Sequence, residues 1–151
     1  MKLLLFHGRG LLSSLIRLQT RSQYSHAAVL FDNNLMVESW QGTGVRDKQW
    51  ATVVDREGID AFEIAGINHD SALKAREWCM QQIGKKYDYY AVIRFVTRTR
   101  PIGDPVHRWF CSELAFMAFQ MAGVDLLKRV PPERVSPGLL SMSPLLKPVN
   151  L

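Results

Sequence analysis

Residues 3–6 form an unbroken apolar run of strand length, closed by His7 and the glycines at positions 8 and 10. Leu11, Leu12, Leu15, Ile16 and Leu18 then recur at helical spacing and predict a helix. Residues 24–31 read as a strand. Asp32-Asn33-Asn34 reads as a turn, because Asn and Asp tolerate left-handed backbone, and residues 35–40 are the return strand of a hairpin. Residues 41–44 read as a loop, and residues 51–55 and 61–64 as two further short strands. Asp70 and Ser71 cap a second helix with apolar positions at Ala72, Ala75, Cys79 and Ile83, stopped by Gly84. Residues 88–96 are a weaker, aromatic-rich helical segment, and residues 100–105 a loop. A strongly apolar helix is predicted over 110–121, ending at Gly123. The proline-bearing tail after it is expected to wrap the surface with short turns only. Strands that come mostly first, with helices flanking them, predict an α+β fold with an antiparallel sheet.

Composition narrows the class further. At 151 residues, with no repeat or linker, residues 1–151 are expected to make a single domain, long enough to fold without disulfide or metal staples. Apolar residues are 47% and charged residues 22% of the chain, which excludes a disordered tail or a coiled coil. The net charge of +5 fits a weak attraction to anionic surfaces, and Arg94, Arg98, Arg100 and Arg108 are its densest group. The apolar start is cut too early for a secretory signal core, and no run is long enough to span a membrane. A reducing cytoplasm with free thiols at Cys79 and Cys111 is therefore expected.

Cys111 falls in the first turn of the 110–121 helix, where unpaired backbone N–H groups and the macrodipole favour a thiolate, the nucleophilic form. A core cysteine is the plainer alternative, and Cys79, in the middle of a helix with no basic neighbour, reads as one. A nucleophilic cysteine needs a base. His7, His26, His69 and His107 are the candidates, with His26 the best placed because it begins the strongest strand. A three-residue turn at 32–34 would pair Phe31 with Leu35, so that Ala28 faces Glu38 and His26 faces Trp40. Glu38 would then be a diagonal neighbour able to orient the imidazole. A two-residue turn would turn Glu38 to the opposite face. Glu113 has a plainer use, in capping its own helix.

The segments Tyr24-Ser25-His26-Ala27-Ala28-Val29-Leu30, Val37-Glu38-Ser39, Gly84-Lys85-Lys86-Tyr87-Asp88 and Trp109-Phe110-Cys111-Ser112-Glu113-Leu114, in that order, resemble the circularly permuted papain-like amidases, the YiiX-type branch of the NlpC cysteine-peptidase superfamily. The resemblance runs over nearly the whole chain. It implies a permuted papain-like fold in which an antiparallel sheet packs against a buried nucleophile helix. It also implies that Cys111 is the nucleophile, His26 the base and Glu38 the orienting group, with Tyr87, Tyr24 and Trp109 about the substrate and oxyanion pocket. The missing secretory leader departs from the cell-wall members of that family.

Two classes of function follow. One is a cysteine hydrolase of amide or peptide bonds, with acyl transfer or lipid deacylation through the same thioester as a variant. Its substrate would be a cell-wall peptide or an acylated lipid. The other is a non-catalytic module for an anionic partner. No specific nucleic-acid partner is expected. Neither is a catalytic metal, because the histidines show no helical i, i+4 pairing, nor a nucleotide cofactor, because no glycine-rich phosphate loop follows a strand.

Overall fold

The computed structural model describes residues 1–8, 10–53, 58–91 and 108–151. The sequence readings that involve Arg94, Arg98, Arg100, His107 and the loop at 100–105 lie outside these residues.

Six strands form one antiparallel sheet: β1 (Lys2–Phe6), β2 (His26–Leu30), β3 (Leu35–Trp40), β4 (Gly44–Gln49), β5 (Ile59–Ile64) and, last in the chain, β8 (Leu146–Val149). Their spatial order is β4-β3-β2-β1-β5-β8. Short strands β6 (Lys86–Tyr87) and β7 (Arg108–Trp109) pair in parallel beside it. The helices are α1 (Leu11–Thr20), α2 (His69–Gln82), α3 (Cys111–Met121) and the single turn α4 (Pro137–Leu140).

The β2–β3 hairpin has the three-residue turn. Ala28 pairs with Glu38, Val29 with Val37 and Leu30 with Met36. The Phe31 N–H donates to the Leu35 carbonyl at 2.8 Å, and Asn34 takes the left-handed φ of 65° that closes the turn. Strand alternation then divides the apolar residues between two faces. Leu3, Leu5, Ala27, Val29 and Val37 join Leu114, Ala115, Phe116, Ala118 and Phe119 of α3 in the main core, while Leu4, Ala28, Leu30 and Met36 pack with Trp50 and Ala61 on the other side. Helix α3 is apolar nearly all round because it is buried nearly all round.

Four readings are corrected. Residues 44–49, divided in the sequence reading between a loop and an unassigned stretch, form β4; its outer half is polar and exposed, so no apolar alternation announces it. Residues 51 and 52 of the expected 51–55 strand belong instead to a 3₁₀ turn, Trp50–Thr52. The tail contributes β8, paired with β5 at the sheet edge, where Pro148 needs no outward ladder donor. Helix α2 forms, but its cap is Asn68 rather than Asp70 and Ser71, which lie within the first turn: the Asn68 Oδ1 accepts from the Ser71 N–H at 2.8 Å.

Candidate active site

Cys111 is the first residue of α3 and is 1% exposed. The helical ladder starts with the Leu114 N–H donating to the Phe110 carbonyl, so the N–H groups of Cys111 and Ser112 have no partner within the helix. Glu113 reaches back to the Phe110 N–H at 3.4 Å, the capping use its position suggests. The Ser112 hydroxyl donates to the Val135 carbonyl at 2.6 Å and anchors the helix start from below. The chain entering the helix is held from the sheet side, where the Trp109 carbonyl accepts from the Ser39 hydroxyl at 2.7 Å and from the Asp88 N–H at 3.0 Å.

His26 opens β2 and lies near enough to Cys111 for the sulfur to act on its pKa. Its Nε2 lies 2.7 Å from the Glu38 Oε2, which leaves Nδ1 as the ring nitrogen for the sulfur. The ring is held between Phe6 (centroids 5.0 Å apart) and Trp40 (5.1 Å, edge-on). Glu38 is buried, and its other oxygen accepts from Arg46 Nε at 2.9 Å and Nη2 at 2.7 Å. Arg46 in turn stacks over Trp40. Three side chains thus form one hydrogen-bonded line, His26–Glu38–Arg46, with Cys111 the further group that acts on the histidine.

Burial alone would push the His26 pKa down. The charge and hydrogen bond of Cys111, joined by those of Glu38, outweigh it and raise the pKa from 6.5 to about 9. Burial would raise Glu38, but the hydrogen bonds and charges of His26 and Arg46 hold it below the ordinary carboxylate value. Cys79 is the contrast: fully buried in the α2 core, its thiol is pushed up by burial to about 12. His7 is engaged elsewhere, with Nε2 3.0 Å from the Asp60 Oδ2.

Tyr87 belongs to a small buried cluster with Cys111, Phe110, Ile16 and Ala91; burial and the neighbouring Cys111 charge raise its phenol pKa. The other two expected pocket residues are placed differently. The Tyr24 hydroxyl donates to the Asp60 Oδ2 at 2.5 Å and its ring meets His7. The Trp109 indole N–H donates to the Gln82 Oε1 at 3.1 Å, and its ring packs edge-on against Trp78. Neither lines the cavity of about 660 Å³ that opens beside His26 and Glu38. That cavity is walled by Phe6, Leu12, Ile16, Met36, Trp40 and Tyr87, with Arg46 and Lys48 on its polar side. Sequence reasoning missed Arg46, and it placed Trp40 opposite His26 without giving it a part in the site. The signal was a second tight hairpin at Gly42 and Gly44, which pairs Glu38 with Arg46.

No family model matches the chain, and no curated protein does. Among solved structures it is similar to the YiiX metalloprotein of Escherichia coli O157:H7. The TM-score is 0.72 at 18% identity, over 99% of this chain and 94% of that one. The likeness shows a shared α+β fold along the whole chain. The word metalloprotein describes that neighbour. In this chain, among the described residues, no group of three or more His, Cys, Asp or Glu side chains is placed to hold a metal ion. No helix among the described residues is long and apolar enough to cross a membrane.

Proposed function

We propose that this protein is a circularly permuted papain-like cysteine hydrolase that cleaves an amide or peptide bond through an acyl-thioester on Cys111. The observation that carries the reading is the hydrogen-bonded line His26–Glu38–Arg46, whose histidine feels the charge of Cys111 at the start of a buried helix. The YiiX-like fold supports it, as does the chain order of histidine strand, glutamate strand and cysteine helix.

The raised pKa of His26 keeps its imidazole protonated at neutral pH, the cation that an attacking sulfur needs beside it. The sulfur attacks the acyl carbon, a C–S bond forms and the carbonyl electron pair moves to oxygen. N–H groups of the first turn of α3, including that of Cys111, face the developing oxyanion, and Tyr87 shapes the pocket around it. Collapse breaks the C–N bond while His26 gives its proton to the leaving amine. His26 then takes a proton from water, which attacks the thioester and releases the acid and the thiolate. Glu38 fixes the ring tautomer and balances the imidazolium, and Arg46 keeps Glu38 ionised.

A second reading, lipid deacylation or acyl transfer through the same thioester, is favoured by the largely apolar cavity wall at Phe6, Leu12, Ile16 and Met36, which suits an acyl chain.

The test is site-resolved alkylation with iodoacetamide, then mass spectrometry of products from N-acyl and peptide amides. Cys111 should alkylate at least about a hundredfold faster than Cys79, and Cys111→Ser should lose both adduct and turnover. Equal labelling of the two thiols, or turnover that survives Cys111→Ser, would overturn the proposal.

A further inference from the structure

Helix α1 presents two different faces. Leu12 and Ile16 point inward and line the cavity beside His26. Leu11, Leu15 and Leu18, at i, i+4 and i+7, lie on a common outer face and are 95%, 43% and 77% exposed. Long apolar side chains in a contiguous exposed stripe mark a surface that meets something apolar. The stripe is flanked by basic groups. The Arg17 guanidinium lies 3.3 Å from the Ser14 hydroxyl along its edge, and the exposed Arg21 follows at the helix end. The first 31 residues hold Lys2, Arg9, Arg17 and Arg21 and no Asp or Glu. The short helix α4, which packs on α1, carries no charge either.

We infer that α1 is a membrane-surface helix: Leu11, Leu15 and Leu18 insert into an anionic bilayer while Arg17 and Arg21 meet its phosphates. A leucine stripe beside guanidinium groups on a polar flank is the pattern of helices that lie in the headgroup plane. A protein partner fits less well, because three leucines on one ten-residue helix supply a small part of the roughly 800 Å² per partner that a stable interface takes. The same helix walls the cavity beside His26, so docking would bring that wall to the lipid surface. This inference concerns where the protein sits and holds whether or not Cys111 is a nucleophile.

The test is flotation of the full chain with vesicles of phosphatidylcholine alone or with about a third phosphatidylglycerol. Wild type should float with the anionic vesicles and much less with the neutral ones. Leu15→Ser with Leu18→Ser, and independently Leu11→Ser with Leu18→Ser, should weaken partitioning at least about tenfold. Arg17→Gln and Arg21→Gln should each weaken it about fivefold. These side chains are on the surface, so circular dichroism and the thermal midpoint should match wild type. Cys111→Ser should float as wild type does, which separates this result from the chemistry. Absence of wild type from anionic vesicles would overturn the inference, as would leucine variants that bind unchanged. Self-association that the leucine variants abolish, without vesicle binding, would instead make the stripe a protein interface and also overturn it.

Discussion

Glu38 is the residue on which the arrangement of the site turns. It is nearly fully buried, and its carboxylate is shared between a histidine and a bidentate arginine, so both oxygens are satisfied. Glu38→Gln keeps the shape and removes the charge. It should lower the pKa of His26, read by imidazole NMR, because one of the groups that raise it is lost. It should also cost about 2 kcal/mol in denaturant unfolding, the scale of a buried hydrogen bond to a charged group. An unchanged His26 titration would show that Glu38 only fills space. The helix start at Cys111 was legible in the sequence as a local property, and the His26–Glu38 contact was one of the two outcomes the hairpin left open, settled by its three-residue turn. Arg46 was not legible, since its strand is polar outward and hides its period. The orientations of Tyr24 and Trp109 were not legible either. Asp60 and Gln82 fix them, and both are distant in sequence.

Among the elements, the strap at Gly84–Tyr87 connects the hairpin to the cysteine helix. The Val45 N–H donates to the Lys85 carbonyl at 2.8 Å, and the Gly84 N–H returns to the Val45 carbonyl at 2.9 Å. Gly44 permits this contact. It has φ of 81°, and a Cβ there would lie 2.1 Å from the Lys85 carbonyl oxygen. Gly44→Ala should therefore displace the strap and lower stability by about 1–3 kcal/mol, from left-handed strain together with the clash. Cys111 alkylation should slow as well, because Tyr87 and the Trp109 carbonyl hang from that strap. A variant with wild-type stability would contradict this account of the junction. The glycine–lysine–tyrosine segment was noticed in the sequence, but its pairing with β4 depended on a strand that went unread. The tail strand β8 was hidden in the same way, behind prolines that an edge position tolerates.

At the scale of the whole molecule, the sheet carries α3 on one face and a second apolar cluster on the other, and the ion pairs of the site sit at one end of this frame. Their titration sets how stability follows pH. His26 is held above its ordinary 6.5, so its contribution is complete below pH 6.5 and is lost as pH rises through about 9. Glu38 is held below its ordinary 4.5, so its contribution is present above that value and is lost as pH falls through its lowered pKa. The thermal midpoint should decline on the alkaline side toward pH 9, and Cys111→Ala should flatten that decline. A wild-type midpoint that stays level through this range would contradict the pairing. The α+β class was readable from the chain because apolar periods were strong in the buried elements. The six-strand order was not, since it depends on β5 and β8 meeting across most of the sequence.

The pairing of Cys111 with His26 that the proposed function requires is open to direct observation. Nitrogen-15 NMR of the His26 ring, titrated in wild type and in Cys111→Ala, follows it at the atom concerned. The pairing predicts a wild-type midpoint near 9 that falls toward 6.5 when the sulfur is removed. A wild-type midpoint near 6.5 that Cys111→Ala leaves in place would mean that the two groups do not share a proton, and the hydrolase reading would fall with it.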